Sequence, residues 1–243
     1  LDSNTTGDHN VAVGNDALGS NTTASQNVAM GHTALGYSTT GQSNTAVGFQ
    51  SALSTTTGSQ NVSVGRTALY SNTTGANNVA LGRAALYSNV GGANNVAIGY
   101  NTLDSNTTAD YNVAVGANAL TTNTTGENNV AVGHQALNSS TTASNLVAIG
   151  YQALYANTTG TSNVAVGYKS LDANTTGGTN TAVGHGSLGA NTTGGSNTVV
   201  GQGALQSNTS GALNTSIGRD SMSSNITGSY NVAVGYKALA DHT

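Results

Sequence analysis

The sequence predicts an all-β protein, a parallel β-solenoid of 14 stacked coils with 17 residues in each coil. One motif, N-V-A-V-G-x-x-A-L-x-x-N-T-T-G-x-x, runs through the whole chain of 243 residues, and no repeat gains or loses length. Its Val, Thr, Asn and Gly are poor helix formers, and it is shorter than helical repeats of about 33 to 47 residues. Units of one length without insertions are expected to stack in register. We number the motif positions 1 to 17 from its first Asn.

The glycine at position 5 sets the period, because it recurs every 17 residues. The Val-Ala-Val before it, bounded by Asn and Gly, predicts a short strand at positions 2 to 4. These 14 structural glycines are Gly14, Gly31, Gly48, Gly65, Gly82, Gly99, Gly116, Gly133, Gly150, Gly167, Gly184, Gly201, Gly218 and Gly235.

The rest of each repeat predicts a second short segment and a turn. Ala-Leu at positions 8 and 9 is interpreted as the start of another extended segment, whose Leu, such as Leu103, completes the core. Asn-Thr-Thr-Gly at positions 12 to 15 predicts a turn, with its Gly able to take a positive φ. Only the third repeat departs from this spacing, since Ser51-Ala52-Leu53 puts its Leu one place late.

Side chains alternate along a strand, so positions 2 and 4 share one face and position 3 lies on the other. We expect the large residues at positions 2 and 4, for example Val96 and Ile98, to point inward. The small residue at position 3, usually Ala, would then point outward. A column of Ala on an outer surface predicts close approach of another chain, and hence an oligomer.

The two Asn positions predict structural roles. Stacked Asn side chains at position 1 can form amide ladders between coils; the exception is Leu146, where Asn145 stands one place early. The Asn at position 12, as in Asn72, Asn106 and Asn157, is expected to bond local backbone in the turn. Many of these also spell N-x-[ST], which here follows from the repeat itself and is weak evidence for glycosylation.

Composition argues against several functions. There is no Cys, so thiolate metal sites and Cys nucleophiles are excluded, and 5 Lys and Arg are too few to track a phosphate backbone. No apolar run is long enough to span a membrane. His32, His134 and His185 share position 6, but they are too many coils apart to bind one metal. We therefore expect no nucleic-acid partner, membrane insertion, cofactor, metal or enzymatic activity.

Position 6 is the most variable position and the best candidate for a binding strip. Aromatic and Arg side chains are common anchors at binding surfaces. They could hold a glycan or a protein; alternatively, position 6 is a permissive corner where Tyr covers neighbouring coils, and the same alternatives apply to Tyr70, Tyr87 and Tyr155. The candidate binding residues are Tyr100, Tyr151, Tyr168, Tyr236, Arg66 and Arg83.

The strings N-V-A-I-G-Y at 95–100 and N-V-A-V-G-Y at 231–236 resemble repeats of phage tail-fibre proteins. They also resemble the N-S-V-A-I-G repeats of YadA-type trimeric autotransporter adhesin heads. The resemblance covers essentially the whole chain and implies a left-handed parallel β-roll, assembled as a homotrimer on an extracellular surface. The adhesin repeat is shorter and lacks a regular Asn-Thr-Thr-Gly segment, so the cross-section of the coil is expected to differ.

These observations favour a structural role. Residues 1–243 are expected to form a single solenoid region of a longer fibre protein, because both ends fall within a repeat. The expected function is a stiff shaft that projects or presents a receptor-binding surface, on a virion or a bacterial cell. The alternative is an ice-binding β-solenoid, given the regularly spaced Thr; against it, adjacent Thr residues are expected to point to opposite faces.

Overall fold

The computed structural model describes residues 1–241, and its regular structure is 14 three-residue strands with no helix among those residues. The chain divides into two compact units, one that spans Leu1–Thr125 and one that begins at Gly126. His242, one of the five histidines, lies outside the described residues. The first unit contains β1 Val11–Val13, β2 Val28–Met30, β3 Thr45–Val47, β4 Val62–Val64, β5 Val79–Leu81, β6 Val96–Ile98 and β7 Val113–Val115. The second contains β8 Val130–Val132, β9 Val147–Ile149, β10 Val164–Val166, β11 Thr181–Val183, β12 Thr198–Val200, β13 Thr215–Ile217 and β14 Val232–Val234.

Within each unit every strand pairs in parallel with the strand of the next coil. The pairing is in exact repeat register: Val96 lies beside Val113, and Ala97 lies beside Ala114. Like residues therefore form columns along each unit. The predicted parallel β-solenoid with one 17-residue repeat per coil is confirmed in both units.

Backbone hydrogen bonds between coils extend well beyond the short strands. The Gly99 N–H donates to the Leu81 carbonyl at 2.8 Å, and the Leu103 N–H donates to the Ala119 carbonyl at 3.0 Å. The Ser105 N–H continues the pattern with a bond to the Thr121 carbonyl at 3.0 Å. The turn segments thus join coil to coil as the strands do, which satisfies polar groups that would otherwise be buried without partners.

The structure reverses the predicted orientation of the strand. Ala97 points into the coil and is 0% exposed, whereas Val96 is half-buried and Ile98 is 37% exposed. The prediction that positions 2 and 4 point inward was therefore wrong, as was the prediction of an outer Ala column. The interior already holds the fully buried Leu103 and two Asn columns, so the strand contributes a small side chain to it in most coils, although Val199 is also buried there.

The column of Leu at position 9 forms the apolar centre of the coil, as predicted, but in an unexpected backbone conformation. Leu103 has φ 52°, and neighbouring Asn101 has φ 48°. Positions 6 to 11 therefore form a turn, not the predicted second extended segment. A non-Gly residue in this left-handed region costs about 1 to 2 kcal/mol. Burying a Leu side chain contributes about 1.5 to 3 kcal/mol, which offsets that cost.

The two recurrent glycines serve different purposes. At position 5, Gly82 has φ 131°, and a Cβ there would lie 2.7 Å from the carbonyl carbon of Gly99, so both conformation and space require Gly. At position 15, Gly75 is outside the left-handed region, contrary to the prediction, and Gly is favoured because the carbonyl of Gly92 lies close by. Three coils accommodate a methyl there, at Ala24, Ala109 and Ala143.

The predicted amide ladder at position 1 is confirmed. The Asn95 Nδ2 donates to the Oδ1 of Asn78 at 3.2 Å and to the Ala109 carbonyl at 2.8 Å. The Asn95 Oδ1 in turn accepts the backbone N–H of Asn112 at 3.0 Å. Each of these side chains thus ties three successive coils together.

A second ladder runs along position 12. The Asn72 Nδ2 donates to the Gly75 carbonyl at 3.0 Å, which is the predicted local bond, and the Asn89 Nδ2 donates to the Asn72 Oδ1 at 2.8 Å. Asn72, Asn106 and Asn157 are 0% exposed. Their side chains are occupied inside the folded coil, so these N-x-[ST] sequences present no accessible acceptor for a glycan.

Candidate functional site

The position-6 side chains form a column on the outside of the solenoid, which we call the ring column. It contains every predicted binding residue, and all six are exposed: Tyr100, Tyr151, Tyr168, Tyr236, Arg66 and Arg83. The column forms because the Gly at position 5 turns the chain at the end of each strand. The next residue is thereby placed at the same outer corner in every coil.

Rings of neighbouring coils stack face to face in the second unit. The ring centroids of His134 and Tyr151 are 5.6 Å apart, those of Tyr151 and Tyr168 are 5.2 Å apart, and those of Tyr168 and His185 are 4.9 Å apart. The planes are nearly parallel, with 14° the largest angle among these pairs. Four rings therefore form one continuous stack.

Cations alternate with rings elsewhere in the column. In the first unit His32 stacks on Phe49 at 5.4 Å, and the Arg66 guanidinium lies 5.8 Å from the centroid of the same Phe49 ring. The Arg83 guanidinium lies 5.4 Å from the centre of Tyr100. In the second unit Tyr236 lies 5.9 Å from the Arg219 guanidinium of the column, and it also has Lys237, at position 7, 5.5 Å from its centroid. Contacts of this kind stabilise exposed sites by about 0.5 to 1 kcal/mol.

This arrangement favours the alternative interpretation of position 6, in which the rings cover neighbouring coils. Inside the stack both faces of Tyr151 and of Tyr168 lie against other rings. A ligand approaching there meets ring edges and hydroxyl groups, and it finds no free ring face on which to lie. Tyr70 and Tyr87 form a separate stacked pair at 4.9 Å, also between coils.

A larger feature that the sequence interpretation missed is an apolar outer face of the sheet. It consists of the side chains at positions 2 and 4 in every coil, and we call it the valine face. Val62, Ile98 and Ile149 are between 37% and 40% exposed, and the same positions are half-buried or exposed in the other coils. One signal was available: Val-Ala-Val is a continuous apolar run, which is typical of parallel sheets covered on both faces.

Two carboxyl groups outside these surfaces are electrostatically perturbed. Burial raises the pKa of Asp104 above its ordinary value of 3.8. Burial also raises the pKa of Asp172, and the charge of Lys169 partly opposes this effect. Among residues 1–241 no group of three His, Cys, Asp or Glu is placed to hold a metal, and no helix is long and apolar enough to cross a membrane.

The paired Thr at positions 13 and 14 differ in their surroundings. The Thr158 hydroxyl donates to the Thr175 carbonyl of the next coil at 3.1 Å, whereas Thr159 is exposed. The same division recurs at Thr73, whose hydroxyl donates to the Val90 carbonyl at 3.1 Å. The position-13 hydroxyls are thus engaged with backbone, which leaves position 14 as the exposed Thr column.

Comparison with protein-family models, with curated proteins and with solved structures finds no match to this chain.

Proposed function

We propose that this chain is the shaft of an extracellular homotrimeric fibre, of the kind found in phage tail fibres or bacterial trimeric adhesins. The observation that supports this proposal is the valine face. Parallel sheets are normally covered on both faces, and here the Ala side packs on the Leu column while the Val side is open. Sister chains packed on the valine face supply the missing layer.

The free energy gained by burying the valine face is comparable with the free-energy cost of association. Completing the burial of two side chains that are half-buried or exposed contributes about 1 to 2 kcal/mol per coil. The seven strands of one unit then contribute about 7 to 14 kcal/mol per chain, and the second unit carries the same face. The association cost is about 4 to 15 kcal/mol. The contribution of one unit is of the same order as this cost, so an oligomer is expected; the number three comes from the resemblance to trimeric fibres.

The function of such an assembly is mechanical. Coils joined by backbone bonds and two Asn ladders form a stiff spacer that holds a receptor-binding tip away from a virion or cell surface. The ring column is not part of the valine face, and it offers ring edges and hydroxyl groups, not free ring faces, to a receptor. In this proposal the chain performs no catalysis and carries no cofactor or metal.

The test is the mass of the assembly in solution. Sedimentation velocity over a concentration series should give three times the chain mass of 23.9 kDa. Val96→Lys combined with Val113→Lys would bury charge within the assembly and should weaken it at least roughly a hundredfold. The matched control places the same two charges on the exposed Thr column, as Thr74→Lys with Thr108→Lys, and should leave the trimer intact.

A monomeric native chain, or Val-to-Lys variants that associate as well as the control, would refute the fibre proposal. The ice-binding alternative is tested separately by thermal hysteresis. Clear activity at micromolar protein would favour that alternative, whereas its absence together with a trimer would support the shaft.

A further inference from the structure

A groove of about 360 Å³ lies on the first unit, away from both the valine face and the ring column. Its floor is formed by Gly19 and Gly36, at position 10 of two successive coils. Asp16 and Thr33 form one side at position 7, and Tyr37 forms part of the other side at position 11. Asp2 and Leu53 stand at position 10 of the coils on either side of these glycines.

The groove exists because several departures from the repeat coincide there. Position 10 carries Tyr in three other coils, at Tyr70, Tyr87 and Tyr155, whereas Gly in two successive coils leaves that space open here. The displaced Leu of the third repeat, Leu53, is also at position 10 and lies against Gly36, where an added Cβ would be 3.0 Å from its Cδ1.

Tyr37 is the second departure. Position 11 holds Ser, Thr or Ala in the other coils, apart from Asp241 in the last. Tyr37 is 58% exposed, and no other ring among residues 1–241 stacks on it. Unlike the inner rings of the ring column, this ring has a face available to a ligand. The repeat is otherwise regular, so we interpret the coincidence of the two glycines, the displaced Leu53 and the unstacked Tyr37 ring as a binding site.

We propose that this groove binds a neutral saccharide. A sugar ring has an apolar C–H face, which the Tyr37 ring and Leu53 can contact, and hydroxyl groups, which need acceptors. The carboxylate oxygens of Asp2 and Asp16 are acceptors only, and among the described residues neither carboxylate accepts a hydrogen bond, although the main-chain carbonyl of Asp16 accepts the Gly19 N–H at 3.2 Å. No Lys or Arg lines the groove to attract sialylated, sulfated or phosphorylated sugars, and the carboxylates of Asp2 and Asp16 repel them. The volume lies within the range of about 300 to 1,000 Å³ for small-molecule sites.

The site remains open in the proposed fibre. The valine face occupies positions 2 and 4, before the turn at Gly14, Gly31 and Gly48, whereas the groove is built from positions 7, 10 and 11. Three chains associated through the valine face would therefore present three such grooves. The groove proposal does not depend on that assembly, because every lining residue belongs to one chain.

Saturation-transfer difference NMR on the full chain tests the proposal. The probes are methyl α-D-glucopyranoside, methyl β-D-galactopyranoside and methyl α-D-mannopyranoside, with N-acetylneuraminic acid and glucosamine as the anionic and cationic comparisons. At least one neutral probe should show transfer, and the anionic probe should show none. Gly19→Tyr fills the groove with a side chain that position 10 accepts elsewhere, and it should weaken binding at least about tenfold.

Two further variants control for misfolding. Gly189→Tyr makes the same substitution at position 10 of the second unit and should leave binding unchanged. Asp16→Asn preserves shape at a position that is Asn in two other coils, Asn101 and Asn118, and should weaken binding about three- to tenfold. Transfer from none of the neutral probes, transfer from glucosamine alone, or equal binding by the Gly19 and Gly189 variants would overturn the proposal. Because mass is measured separately, failure here leaves the fibre proposal standing.

Discussion

Replacing Asn95 by Ala tests whether the position-1 ladder stabilises the solenoid. The side chain makes two donor contacts, to Asn78 Oδ1 and to the Ala109 carbonyl, and accepts the Asn112 N–H. Asn78 Oδ1 and the Ala109 carbonyl keep other donors, the Asn95 backbone N–H at 3.0 Å and the Asn106 Nδ2 at 3.1 Å. Of the three groups bonded to the Asn95 side chain, only the Asn112 N–H loses an acceptor, which is the Asn95 Oδ1.

The expected cost follows from that inventory. Leaving one buried donor unsatisfied costs about 1 to 3 kcal/mol, and each of the two other bonds contributes about 0.5 to 1.5 kcal/mol. The substitution should therefore lower the free energy of unfolding by about 2 to 5 kcal/mol. The chain supplies a matched control, since Leu146 already occupies this position in another coil and is fully buried. Asn95→Leu removes the same bonds but restores apolar burial, and should cost about 2 kcal/mol less than Ala.

Urea denaturation gives the stability difference, and amide hydrogen exchange at residue 112 locates it. The Asn112 amide should exchange faster in both variants, because both remove its acceptor. If Asn95→Ala costs less than about 1 kcal/mol, or if the Leu variant is the less stable of the two, the ladder is not a significant source of stability and the reasoning fails.

Three further outcomes are expected. The buried hydroxyl groups of Ser38 and Thr55, at position 12, have no hydrogen-bond partner, and neither does the Oδ1 of Asn21 in the coil before them. Replacing both Ser38 and Thr55 by Asn extends the position-12 ladder and should raise the free energy of unfolding, measured in urea, by about 1 to 3 kcal/mol. A loss of stability would show that Asn does not fit there. Asp104→Asn should stabilise the protein at pH 7 but not at pH 3. Burial raises the folded-state pKa of Asp104 above 3.8, so folding loses stability as pH rises through that window, and an equal effect at both pH values would contradict the assignment. Gly82→Ala should cost at least about 3 kcal/mol. Gly186→Ala, at φ 62° with open space around it, should cost only about 1 to 2 kcal/mol, so similar thermal shifts for the two variants would refute the distinction.

The repeat by itself determined the stacking and much of the coil. A spacing of 17 with no insertion permits only in-register columns, so the strands, the buried Leu103 column and the Asn95 ladder followed from the sequence. Gly99 was identifiable because its position is Gly in every repeat, and the structure puts it at φ 136°. The ring column was also predictable, because one residue after each such Gly must share one corner.

Only the tertiary structure decided which side of the strand faces inward. Alternation places Val96 and Ile98 together and Ala97 opposite, but it is equally consistent with either orientation. The choice depends on the space left inside the coil, and the left-handed turn at Leu103, together with two buried Asn columns, leaves room for the smaller side chain at position 3, which is Ala in most coils. The groove beside Tyr37 was likewise hidden in the sequence, because residues of four successive coils meet there only after the coils have stacked. Local periodicity determines which residues share a face, whereas packing volume determines where that face points.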